Sequence, residues 1–199
     1  MHTSIQNLSD RCNRLARWSG PLAVASLALV VAAEVAGPGM GSPVGVVAAV
    51  LGLLAATTLL MGMVGLHVRS VAVVEGRADR PFLLLLAGGA LAAGGMWDLV
   101  FTVPVLTANA PELLQQQHPS VLAGYLISYG LLGLGALLWT LTLRRHGAIS
   151  RADGRWLLAG SVVCFTPLPT RFFLLAVAIS VVAARASRSP AGNDVAVAA

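Results

Sequence analysis

Two carboxylic acids and two phenols lie inside apolar stretches of this 199-residue chain. Glu34 closes the stretch SGPLAVASLALVVAAEVA, Asp98 falls two-thirds of the way along PFLLLLAGGALAAGGMWDLVFTVPVL, and Tyr125 and Tyr129 stand one turn apart in a third. An ionisable side chain in a helix that crosses hydrocarbon is costly and normally faces a partner or a wet cavity. Two carboxyls held close together in a dry place do not both ionise, and the one that keeps its proton can serve as an acid catalyst or a proton carrier. Glu34 and Asp98 are therefore the candidate catalytic pair. Trp97, Tyr125 and Tyr129 are the candidate substrate contacts.

Spacing is the reason to group them. Glu34 lies 16 residues beyond Trp18, Asp98 lies 16 beyond Phe82, and Tyr125 lies 14 before Trp139. If those three aromatics mark one interface, the candidates all stand ~21 to 24 Å above it at the rise of an α-helix. Neighbouring stretches would then bring them together, with Tyr129 a turn deeper and Trp97 beside Asp98. Each residue also has a plain reading. Glu34 is three residues from Gly37 and can reach outer-surface water, Tyr125 has the character of an aromatic-belt residue, and Trp18, Trp139 and Trp156 read as inner belt anchors. His67 and His146 end stretches beside arginines and read as interfacial, while His118 reads as a loop residue. Cys12 and Cys164 are expected near opposite faces, too far apart for a disulfide, and no Cys/His cluster calls for a metal. No cofactor motif such as GxGxxG or Walker A occurs in a usable setting, so none is expected.

The elements that must position these residues are membrane helices. Hydrophobic residues make up 57% of the chain, charged residues only 11%, against about 25% charged in soluble domains. The mean hydropathy is +0.81. All 13 basic residues are arginine, which with the abundance of Ala, Gly, Val and Leu points to a GC-rich bacterial genome. The net charge of +5 does not indicate nucleic acid, because the arginines form short clusters between apolar stretches, where they orient spans and touch anionic lipid. The expected partners are the lipid bilayer and, through faces such as Ala48, Gly52, Ala56 and the glycines of 88–95, a second copy or a partner membrane protein.

Ile5, Leu8, Cys12, Leu15 and Trp18 recur at helical spacing with Arg11, Arg14 and Arg17 between them, so residues 1–18 read as an amphipathic helix on the cytoplasmic interface. A signal-peptide reading is disfavoured because the apolar run continues past the cleavage site it would need. Residues 19–184 form a single transmembrane bundle, with spans at about 19–36, 44–68, 81–106, 121–143, 155–167 and 170–184, and 81–106 expected at its centre. The last two are a short hairpin broken at Thr166-Pro167-Leu168-Pro169-Thr170-Arg171, since only this fold puts every arginine except Arg171 on one side. Residues 185–199 read as a disordered cytoplasmic tail. The expected class is an all-α, multi-pass protein of the bacterial inner membrane with six spans and both termini in the cytoplasm. The functional reading placed first is an accessory or assembly protein. The alternatives are an enzyme using Glu34 and Asp98 on an isoprenoid-like lipid, and a small proton-linked transporter.

Overall fold

A computed structural model describes residues 2–35, 39, 41–115, 119–166 and 171–186. Among them every regular element is a helix: α1 (His2–Ala16), α2 (Ser19–Val35), α3 (Pro43–Val74), α4 (Asp79–Asn109), α5 (Pro111–Gln115), α6 (Pro119–Arg145), α7 (Arg151–Val163) and α8 (Phe173–Ala186). Four stretches are long and apolar enough to cross a membrane, namely Asn7–Val35, Pro43–Val74, Asp79–Asn109 and Pro119–Arg145. The chain is thus compatible with a multi-pass membrane protein. Most of the 36–40 breaker, residues 167–170 of the Pro-broken turn, residues 116–118 with His118, and the tail from 187 onward lie outside the described residues.

Local signals explain the ends. Ser42 caps α3 by accepting from the Gly45 amide at 3.1 Å, and Pro43 follows at the first helical position. At the other end α3 runs six residues past the expected 68, because no breaker intervenes before Glu75 and Gly76, both at positive φ (50° and 75°). Ser150 caps α7 by accepting from the Asp153 amide and donates to the Asp153 carboxylate at 2.7 Å.

The expected central span, α4, packs on α3, α5 and α6 only; the hub is α3, which touches α1, α2, α4, α6 and α8. Small residues bring α4 and α6 together. A side chain at Gly88 would run into the Leu132 backbone, and one at Gly135 into the backbone of Leu85. The heart of the half nearer the arginine-bearing turns is α8, where Leu175, Ala176, Ala178 and Ile179 are buried. It is clipped to the α1–α2 junction by Ser19 donating to the Ala176 carbonyl (2.8 Å) and Ser180 donating to the Arg17 carbonyl (2.7 Å).

Helix α1 crosses α3 at Gly65, whose carbonyl accepts from Ser9 at 3.0 Å. The face it packs is Ser9, Cys12, Asn13 and Ala16, which leaves Leu8, Leu15 and Trp18 exposed alongside the arginines. Both cysteines are free.

The hairpin reading of the C-terminal region agrees with the packing, since Arg185 near the end of α8 donates to Asp153 at the start of α7 at 2.7 Å. The two limbs therefore lie antiparallel. They have 13 and 14 residues, ~20 Å each, while α3 has 32, ~48 Å. The described end of α7 lies at the middle of α6, where a Cβ at Gly133 would come within 3.0 Å of Cys164 and Phe165. This half-length hairpin determines the site.

Candidate functional site

Beyond the described ends of α7 and α8, no helix among the described residues fills the space between α2 and α6. Those two helices flank the gap without touching each other, and the result is a cavity of about 550 Å³. Ser26, Val30 and Glu34 form one wall, spaced so that all three share a face of α2; Leu122, Tyr125 and Tyr129 form the other from α6. Ala48 and Ala49 of α3 with Met96 and Leu99 of α4 close the back, and Arg171 and Phe173 at the hairpin tip make the floor. All these positions lie at the end of the bundle away from the arginine-bearing turns at 69–80 and 144–155.

The back is apolar and, with Phe173 of the floor, tightly built. Phe173, Met96, Ala48 and Ala49 are buried, and Ser26 is held by donating to the Ala48 carbonyl at 2.7 Å. The polar groups sit around them. Tyr125 and Tyr129 stack with ring centres 6.1 Å apart and planes 2° from parallel, and the Arg171 guanidinium carbon lies 5.3 Å from the Tyr129 ring centre. That is a cation–π arrangement, with Tyr129 itself only 4% exposed. Glu34 is exposed at the outer end of its wall.

The cavity unites three residues singled out by the sequence, Glu34, Tyr125 and Tyr129, and leaves two outside its lining. Asp98 is exposed on α4, where its carboxylate accepts from Thr102 at 3.3 Å, though its charge is within electrostatic reach of Tyr125. Trp97 is 55% exposed and its ring packs on Phe101, with centres 4.3 Å apart.

The two acids are also not level. Gly52 of α3 faces both Ser26 and Met96, each 3.1 Å from where a Cβ would be, so those two residues share a depth. Glu34 is eight residues beyond Ser26 and Asp98 only two beyond Met96, a difference of roughly 9 Å. The cause lies at the inner end. Ala16, beside the Trp18 junction, meets α3 at Gly62, whereas Phe82 stacks on His67 five residues further in.

The chain matches no protein-family model, no curated protein and no solved structure. What the cavity can do must therefore be read from its own chemistry. A volume of this size is typical of sites for small molecules and cofactors, which are mostly apolar with a few placed polar groups. Among the described residues no group of three His, Cys, Asp or Glu is placed to hold a metal ion.

Arg171, the one arginine that the sequence sets apart from the others, has its backbone carbonyl beside Cys164 (3.5 Å to Sγ) at the level of the middle of α6, a depth that fits the short length of the two limbs.

A second polar cluster, at the end of the bundle that carries the arginine-bearing turns, was missed in the sequence. Trp139 is 1% exposed, so it is a core residue and not a belt anchor. Its indole N–H donates to His67 Nδ1 at 3.4 Å, while His67 Nε2 faces Asp79 Oδ1 at 3.4 Å and the imidazole stacks on Phe82 at 3.8 Å. Indole nitrogen is a donor only, so Nδ1 must supply the lone pair and the ring proton sits on Nε2, towards Asp79. The cluster ties α3, α4 and α6 together at the end opposite the cavity.

Proposed function

We propose that this chain is a multi-pass protein of the bacterial inner membrane that holds an amphiphilic molecule in the cavity above its C-terminal hairpin, acting as an accessory binding protein. In this reading four helices cross the bilayer, α7 and α8 enter from the inner side and return, and both termini are cytoplasmic, as in a six-span topology. Helix α1 lies on the inner interface with Leu8, Leu15 and Trp18 in the lipid. The arginine distribution supports that orientation.

The observation that carries the binding role is the gap between α2 and α6. A cavity with an apolar back wall and an open flank in the membrane-embedded part of a bundle lets a chain-bearing molecule enter sideways from the lipid, with Glu34, Tyr125 and Tyr129 among its polar contacts. Filling the cavity tests this directly. Ala49, buried and on the back wall, is the position for it. The Ala49→Phe protein should fold and retain its thermal midpoint within a few degrees, yet carry far less co-purified amphiphile by mass spectrometry of the intact protein. Equal loading of the filled and native proteins would rule the site out.

A second reading, in which the cavity performs acid–base chemistry, is favoured by one observation: the Glu34 carboxyl and the Tyr125 and Tyr129 phenols line the same space. Glu34 would then be the group at the ligand, with Asp98 acting through Tyr125 and Trp97 marking the lipid side of the entrance.

A further inference from the structure

We infer that the amphiphile held in this cavity is anionic, with a phosphate or carboxylate head lowered to Arg171 and its chain leaving between α2 and α6. The inference rests on the amphiphile-binding reading and adds the charge and orientation of the ligand. A guanidinium at the middle of a membrane bundle is expensive unless an aromatic face, water or an anion meets it. Here it is fixed over Tyr129 at the cavity floor, so it is presented to the cavity and not to lipid.

Three features point the same way. The planar guanidinium matches the two-oxygen edge of carboxylate and phosphate better than any other side chain does. Phe173, the first residue of α8, shares the floor, so the positive end of a 14-residue helix faces the same space. Tyr125 and Tyr129 add two hydroxyls on the adjoining wall, while the opposing carboxylate, Glu34, is two turns above Ser26 at the outer end. An anion therefore finds its attraction at the bottom of the cavity and its repulsion at the mouth. This arrangement disfavours a soluble anion entering from the outer water and favours one delivered sideways, head first, from the bilayer. The gap between α2 and α6 provides that path.

Three probes of equal chain length separate the possibilities when added to the full-length protein in neutral maltoside micelles: hexadecyl phosphate, hexadecyltrimethylammonium and hexadecyl maltoside. Inorganic phosphate is the fourth, and binding is read by mass spectrometry of the intact protein. Hexadecyl phosphate should bind about tenfold more tightly than the other two chains, the scale of one charge-assisted contact. Arg171→Gln should erase that preference while leaving chain binding in place, and Arg171→Lys should keep part of it. Should Arg171→Gln fail to fold, the selectivity of the native protein still decides. Equal binding of the three chains would overturn the anionic assignment and leave the amphiphile reading standing, whereas binding of none would remove the parent reading as well. Inorganic phosphate displacing hexadecyl phosphate at comparable concentration would overturn the membrane route.

Discussion

Trp139 and His67 show how much one buried hydrogen bond can organise. The pair spans 72 positions of sequence and is flanked by Asp79 and Phe82, so three helices are tied by a single imidazole. Replacing Trp139 with Phe keeps an aromatic ring but removes the donor and the five-membered part of the indole; chemical or thermal unfolding in micelles should show a loss of about 1 to 3 kcal/mol. Trp139→Ala should cost about 3 to 5 kcal/mol through the cavity it leaves. A smaller loss for Ala than for Phe would mean that the packing is not as described. At the other end, Glu34 and Asp98 differ in depth by roughly 9 Å, so their effects should be independent. Glu34→Gln, on the cavity wall, should change ligand retention more than Asp98→Asn, raising it for an anionic amphiphile by removing the repulsion at the mouth, and the double variant should equal the sum of the two in free energy. A double variant equal to either single one would show instead that the acids act as a unit. The sequence revealed which polar residues were unusual but not how they were grouped. Trp18 and Phe82 look like equivalent anchors by position, and nothing in the residues reveals that one helix starts further out along α3 than the other. Trp139 beside a run of arginines reads the same whether its ring faces lipid or core.

Helices were the legible level. The four-residue spacing of small residues, the Ser42-Pro43 start and the arginine-bearing turns mark α2, α3, α4 and α6 to within a few residues, the C-terminal end of α3 excepted. What could not be read was which glycines are consumed inside the bundle. Gly88 and Gly135 are at close backbone crossings, while Gly94 and Gly95 have no atom within 4 Å of where a Cβ would stand. Gly88→Val and Gly135→Val should therefore each destabilise the protein by about 1 to 3 kcal/mol or more, by pushing α4 and α6 apart. Gly94→Ala and Gly95→Ala should be silent in the isolated protein. If the alanine variants at 94 and 95 instead lower stability or alter oligomeric state on gel filtration, those glycines pack against a second copy or another membrane protein.

At the scale of the whole molecule, the short hairpin is the decisive feature. Because α7 and α8 stop at the middle of α6, the bundle is filled at the arginine-bearing end and hollow at the other. That asymmetry makes the topology testable. Reporter fusions at Gly41 and Gln116 should read periplasmic, and fusions at Gly76, Gly147 and Asn193 cytoplasmic; a periplasmic signal at Asn193 would break the hairpin reading. The most direct test of the binding role is an experimental structure of the full-length protein in lipid nanodiscs at a resolution that shows side chains. An occupied cavity predicts elongated density running from the Arg171–Tyr129 pair outward through the gap between α2 and α6. Helices α2 and α6 closed on each other, or a cavity containing nothing but water, would contradict it.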